Sequence, residues 1–112
     1  MGFVTDEKLP AYYRGATALL IPSLWEGFCL PAVESMACGC PVVGSATGSL
    51  PEVIGKGGIV KKPDDCDGLA DALIRMTEKK TRDIYRRAGL EQIKKFRWDS
   101  YAKTVLHCIH TL

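Results

Sequence analysis

Two carboxylates frame the stretch EGFCLPAVE, Glu26 at its start and Glu34 at its end. An ionised carboxylate accepts hydrogen bonds at both oxygens, so it suits a pair of neighbouring hydroxyls. Between the two acids stand Gly27, which lets a backbone come close to a ligand, and Pro31, a residue favoured at the start of a helix. The free N–H groups of a helix start attract an anion and suit a diphosphate. Together these residues describe a site for a sugar-bearing diphosphate, with a ribose at Glu34 in the first helical turn and a second sugar at Glu26. The competing reading has Glu34 as a helix acid favoured by the dipole and Glu26 as a solvated loop charge. Spacing alone leaves both open.

Such a site needs a scaffold, and the flanking sequence describes one. TDEKLPAYYRGA reads as a helix capped by Thr5 or Asp6, with Pro10 near its first turn. TALLIPS (17–23) is a short apolar run stopped by Pro22, as in a strand buried on both faces. A helix follows from Pro31 to Cys38 and ends at Gly39. PVVGS (41–45) and GGIVKK (57–62) read as two more strands, and GFV (2–4) as the stub of a fourth. Ser49 and Glu52 have the spacing of a capping box on a helical turn closed by Gly55. Asp64 or Asp65 caps a helix with the stripe Leu69, Leu73 and Met76. Thr81 starts another, with Ile84, Ala88 and Phe96 inward. The last segment is the most periodic: Trp98, Tyr101, Ala102, Val105, Leu106, Ile109 and Leu112 follow helical spacing.

Strands alternating with helices imply an α/β fold with a parallel sheet and right-handed crossovers. In open sheets of that kind, ligands sit beyond the carboxyl ends of the strands. EGFCLP leaves strand 17–22 at that edge, and SATGS (45–49) leaves the next strand there. A doubly wound nucleotide-binding unit has about five or six strands, so the chain reads as the latter part of a domain.

Composition narrows the class of protein. A chain of 112 residues with 46% hydrophobic and 25% charged residues is an ordinary globular domain, able to bury about 65% of its unfolded surface. The net charge of +2 points to no partner, but residues 75–97 carry nine bases and three acids. That basic segment fits a solvated helical face or contact with an anionic membrane surface. It lacks the aromatic platform of a nucleic-acid site, so no nucleic-acid partner is expected. Cys29, Cys38, Cys40, Cys66 and Cys108 are odd in number, and their spacing suits neither zinc nor a disulfide framework. Reduced thiols in a cytoplasmic protein are expected. No apolar run approaches the roughly 18 residues of a membrane span, and MGFVTD lacks the myristoylation pattern. Asp65-Cys-Asp67 matches the acidic pair of metal-dependent sugar transfer, but its place after Pro63 suits helix capping. No metal or other cofactor is expected.

Pro22-Ser23, Glu26-Gly27-Phe28-Cys29-Leu30-Pro31 and Glu34 together resemble the C-terminal domain of the retaining GT-B glycosyltransferases of family 4, the "glycosyl transferases group 1" type. The likeness continues through SMACGCPVVGSATGSLPEVIG (35–55), GGIVKKPDD (57–65) and FRWDSYA (96–102). It implies an incomplete C-terminal half of a GT-B fold: a partial Rossmann-like nucleotide-sugar-binding domain over 1–97. Helix 98–112 would pack on that domain or on an N-terminal acceptor domain outside this sequence. By resemblance Glu34 binds ribose, and Glu26, the catalytic candidate, lies by the donor sugar. Gly27, Phe28, Cys29 and Leu30 meet the sugar and diphosphate. Cys29 stands where the family has Gly, which puts the choice of sugar in question.

The activity so implied is transfer of a hexose from a nucleotide diphosphate sugar to a sugar or lipid-linked acceptor, as in polysaccharide biosynthesis. The family's Arg/Lys pair for the diphosphate lies outside these residues, so the isolated chain is expected to be inactive. Two rival readings are a non-catalytic nucleotide-binding module working with a partner chain and a flavodoxin-like signalling domain. The second lacks an acidic acceptor at a strand end. Expected partners are the nucleotide sugar, a glycan or lipid-linked acceptor, the N-terminal domain and, through the 98–112 stripe or the sheet edge near 2–4, a second copy. The expected location is cytoplasmic, with peripheral contact at the inner membrane surface.

Overall fold

A computed structural model describes residues 2–112. Three parallel strands lie in chain order: β1 (Leu19–Ile21), β2 (Val42–Ser45) and β3 (Gly58–Lys61). Leu19 pairs with Val42, and Val42 with Gly58, so the strands start level and their carboxyl ends share one edge. Around them are helices α1 (Leu9–Gly15), α2 (Leu30–Ala37), α3 (Leu50–Ile54), α4 (Cys66–Thr77), α5 (Lys79–Gln92) and α6 (Trp98–His110), with a 3-10 turn at Ile93–Lys95. The α/β reading with a parallel, helix-flanked sheet holds. The GFV stretch does not form a strand; Gly2–Val4 are irregular.

β2 explains why the sheet has helices on both faces. Successive side chains of a strand point to opposite sides. Val42 joins a core with Ile21, Ala32, Met36, Leu50, Val53 and Ile54, beneath α2 and α3. Val43 joins the opposite core with Ile59, Leu69, Ala72 and Met76, beneath α4. Each fully buried aliphatic side chain contributes about 1.5–3 kcal/mol, so a continuous apolar strand is stable only between two such layers. β1 departs from the expectation of burial on both faces, because Leu20 is exposed. Among the described residues its only strand neighbour is β2, and the other edge of β1 pairs with no strand.

α5 departs from its expected register. It begins at Lys79 rather than Thr81, and Ile84 is exposed. The inward line is Tyr85, Ala88, Gly89 and Gln92, one residue round the helix from the line through Ile84. Close packing decides this. A Cβ at Gly89 would stand 3.2 Å from Met36 Cγ, and one at Gly57 would overlap Met36 Sδ and stand 2.7 Å from the Gly89 Cα, so this pair of glycines favours the close approach of α5 to α2. Gln92, which is buried, donates from its amide to the carbonyls of Glu52 (2.9 Å) and Val53 (3.3 Å) at the end of α3. Phe96 does turn inward against the α2–α3 core.

Helix ends follow the sequence in part. Asp65 caps α4 by accepting from the Gly68 N–H at 2.9 Å. Gly39 and Gly55 have positive φ (75° and 51°) just past α2 and α3. Neither Thr5 nor Asp6 caps α1 through its side chain. The Thr5 carbonyl instead accepts from Lys8 and Leu9 N–H in a turn that leads into the helix. Ser49 occupies the N-cap of α3 but makes no capping bond, because its hydroxyl is used elsewhere. All residues of α6 are exposed, including Trp98, Tyr101, Leu106 and Ile109.

Candidate functional site

Two loops leave the carboxyl edge of the sheet side by side, residues 22–29 after β1 and 46–49 after β2. Hydroxyls and close backbone approach tie them together. The Ser45 and Thr47 hydroxyls both donate to the Ser23 carbonyl, Thr47 at 3.2 Å. Ser49 Oγ donates to the Gly27 carbonyl. Gly48, with φ 52°, lies so close that a Cβ there would overlap the Glu26 carbonyl oxygen. Within the first loop, Ser23 Oγ donates to Glu26 Oε1 at 2.7 Å, so the carboxylate of Glu26 is held by its own loop. Gly and Ser in SATGS therefore supply close approach and hydroxyl donors rather than looseness.

Beyond Glu26 the chain turns into α2. The Phe28 ring meets Phe96 edge to face, with centroids 5.4 Å apart, and is still 46% exposed. Cys29 is the only residue other than glycine with positive φ (62°) among the described residues, and it serves as the N-cap of α2. The left-handed backbone is one that glycine adopts freely, so replacement by Cys keeps the local path. The side chain packs against the α2–α3 core. Burial pushes the Cys29 thiol up, against the lowering effect of a hydrogen bond from the Ala32 N–H; the charges of Glu26 and Glu34 push it up further. Both carboxylates are therefore near enough to act on one thiol.

Glu34 lies in the second turn of α2, not the first, because the helix begins at Leu30. Its Oε2 accepts a hydrogen bond from the Tyr13 hydroxyl of α1 at 3.1 Å. Burial, then the bond to Glu34 and its charge, push the Tyr13 phenol up to about 12. The helix start is also a sparser anion site than expected. Pro31 has no N–H, and that of Ala32 already donates to the Cys29 carbonyl at 3.1 Å. The N–H groups of Gly27, Phe28, Cys29 and Leu30 have no partner among the described residues, so the free donors lie in the loop and the first helical position.

Leu24, Trp25, Gly27, Phe28 and Leu30 are exposed, so the region forms a ledge at the sheet edge. Two surface hollows, of about 470 and 240 Å3, lie instead by the start of β1 and include none of residues 26–34. Among the described residues no three His, Cys, Asp or Glu side chains gather as metal ligands. All five cysteines are free. The sequence leads to Glu26, Glu34 and the intervening loop as the candidate site, and the structure places them at the carboxyl edge of β1 and the start of α2. Sequence reasoning misses Tyr13, Ser49 and Phe96 as their contacts, and the repeated aromatic YY in α1 is the only hint of the first.

The family model described as "Glycosyl transferases group 1" matches residues 1–79. The chain belongs to that family. It is 42% identical over 101 residues to the O-antigen chain mannosyltransferase B of Escherichia coli, covering 89% of this chain and 26% of that protein. It is 39% identical over 104 residues to the MMP alpha-(1->4)-mannosyltransferase of Mycolicibacterium hassiacum, covering 88% of this chain and 25% of that one. This glycosyltransferase chain thus spans about a quarter of the length of the curated relatives it matches. The sucrose-phosphate synthase of Thermosynechococcus elongatus superposes with a TM-score of 0.87 at 30% identity, over 99% of this chain and 29% of that one. The C-terminal domain of a group 1 glycosyltransferase from Francisella tularensis superposes with a TM-score of 0.73 at 29% identity, over 86% of this chain and 51% of that one. The chain therefore corresponds to part of the C-terminal half of a GT-B fold. No described helix is long and apolar enough to cross a membrane.

Proposed function

We propose that this chain is the donor-binding part of a retaining glycosyltransferase that moves a hexose from a nucleotide diphosphate sugar to a glycan or lipid-linked acceptor. What carries the reading is the ledge at the carboxyl edge of the sheet, where Glu26 and Glu34 flank a loop of unpaired N–H groups. Glu34 accepts the ribose hydroxyls, and Glu26 orients the donor sugar. The N–H groups of Gly27 to Leu30 face the diphosphate and stabilise the charge that grows on it as the sugar leaves. Relatives named as mannosyltransferases make a mannosyl donor the first to test. The acceptor domain and further cationic groups for the diphosphate belong to the rest of the enzyme. The basic face of α5 offers peripheral contact with a cytoplasmic membrane surface that presents the acceptor.

Loss of a charge-assisted ribose contact costs about 1.5–3 kcal/mol. Glu34→Ala should therefore weaken nucleoside diphosphate binding by roughly one to two orders of magnitude. Titration calorimetry checks this, and equal affinities for wild type and variant would rule out the role given to Glu34.

A further inference from the structure

Tyr13 and Glu34 are joined by one of the few side-chain bonds between helices among the described residues, and the family likeness of residues 26–34 does not explain it. Tyr12 and Tyr13 are adjacent in α1, yet only Tyr13 turns toward α2. Tyr12 faces outward and is about half exposed. The Tyr13 hydroxyl donates to Oε2 of Glu34 at 3.1 Å. A carboxylate has about four acceptor positions, and one phenol occupies one of them. Oε1 and the remaining position on Oε2 stay available to two further donors.

We infer that Tyr13 is a positioning residue that holds the Glu34 carboxylate in the orientation needed to accept both hydroxyls of a ribose, and so sets the preference for ribo- over deoxyribonucleotides. The inference rests on the reading of Glu34 as the ribose acceptor. Its physical basis is the freedom of a glutamate side chain on an exposed helical face. Free Glu side chains populate many rotamers, and ordering one on binding opposes affinity. A neighbour that fixes the rotamer beforehand removes that cost. A diol gripped by two oxygens needs the carboxylate plane at one angle, whereas a lone hydroxyl is satisfied at many. Fixing the plane therefore favours the diol most.

A phenol fits this task better than a cation. Lys or Arg would draw the carboxylate into an ion pair and compete for both oxygens. A neutral hydroxyl takes one position and leaves the negative charge. Burial, the bond to Glu34 and its charge push the phenol up to about 12, so it stays a donor at neutral pH. Among the described residues Glu34 takes part in no salt bridge, which leaves Tyr13 as its one polar side-chain partner there.

The test measures affinities of the 112-residue chain for GDP, UDP and their 2′-deoxy counterparts by calorimetry, in wild type, Tyr13→Phe, Tyr12→Phe and Glu34→Gln. In wild type each ribonucleotide should bind more tightly than its deoxy form. Tyr13→Phe should weaken the ribonucleotides about three- to tenfold, the range for one lost hydrogen bond, and the deoxy forms by much less. Tyr12→Phe should match wild type, and all four proteins should melt cooperatively. A Tyr13→Phe protein that weakens ribo and deoxy forms equally, or neither, overturns the inference. If Glu34→Gln still collapses ribose selectivity, the assignment of Glu34 survives that loss. Absence of ribose selectivity in both wild type and Glu34→Gln, or of binding to any of the four nucleotides, removes the ribose reading and the inference with it.

Discussion

α6 has the stronger apolar periodicity in sequence, yet α2 is the helix that the fold buries. Ala32, Ser35 and Met36 of α2 are buried under α3 and α5, whereas every residue of α6 is exposed. Surroundings rather than strength of pattern decide this. Gly57 and Gly89 open a slot into which Met36 fits, and Gly39 ends the helix where α5 passes. Nothing comparable among the described residues faces Trp98, Tyr101, Val105, Leu106 and Ile109. Periodicity therefore identifies which side of a helix avoids water, but a packed partner has to be specified separately, often by small residues at a distance in sequence.

The largest effect expected from this contrast is association through α6. Covering about 400 Å2 of apolar surface at roughly 25 cal/mol per Å2 is worth on the order of 10 kcal/mol before association costs. The purified 112-residue chain should therefore form a dimer or larger species at micromolar concentration, and Leu106→Asp with Ile109→Asp should shift it toward monomer. Sedimentation decides. A compact wild-type monomer would mean that α6 tolerates its exposure, and the contrast with α2 would then concern structure alone.

Truncating one apolar side chain on each helix sharpens the same contrast. Met36→Ala should cost about 2–5 kcal/mol, since Met36 is 1% exposed and its loss leaves a cavity between α2 and α5. Leu106→Ala, combined with Ile109→Asp to keep the chain monomeric, should change stability by no more than about 0.5 kcal/mol relative to Ile109→Asp alone. Denaturant melts of the two truncations provide the comparison. Similar losses at both positions would show that α6 is packed in solution.

How far the sequence discloses this structure depends on whether a signal is local. Gly39, Gly55 and Asp65 end or begin helices through their own backbone or side chain, and each is readable. So is the placement of the Glu26–Glu34 frame on a loop and helix start, because it lies within nine consecutive residues. Ser49 misleads: the capping-box spacing is present, but a carbonyl 22 residues away at Gly27 claims the hydroxyl. Ile84 fails for a related reason, since the inner face of α5 follows Gly89 and its close approach to Met36. Gln92 reads as a surface residue until the carbonyls of Glu52 and Val53 are brought beside it. The bond from the Tyr13 hydroxyl to Glu34 is likewise a contact between helices, spanning 21 residues of sequence. Local chemistry survives translation into a fold, whereas a competing long-range partner is visible only once the chain has closed.

Cys29 provides the finest test, because there a local backbone demand opposes a packing contact within one residue. Its φ of 62° costs an L-residue roughly 1–2 kcal/mol relative to glycine. Its side chain, in return, packs against the core of Ile21, Met36 and Val42. Cys29→Gly removes both terms. It also adds unfolded-chain freedom worth about 0.4–1 kcal/mol, so the net change should stay within about 1 kcal/mol. Cys29→Ala removes most of the packing and keeps the strained angle. It should therefore be less stable than Cys29→Gly, the reverse of the usual order at helical positions, where Ala exceeds Gly by about 0.8–1.0 kcal/mol. Equilibrium unfolding of the two variants side by side reads that order directly. Ala above Gly would mean that the αL backbone relaxes when the thiol is removed. The loop between Glu26 and α2 would then be held by its ties to Ser45, Thr47 and Ser49 rather than by the conformation of its last residue.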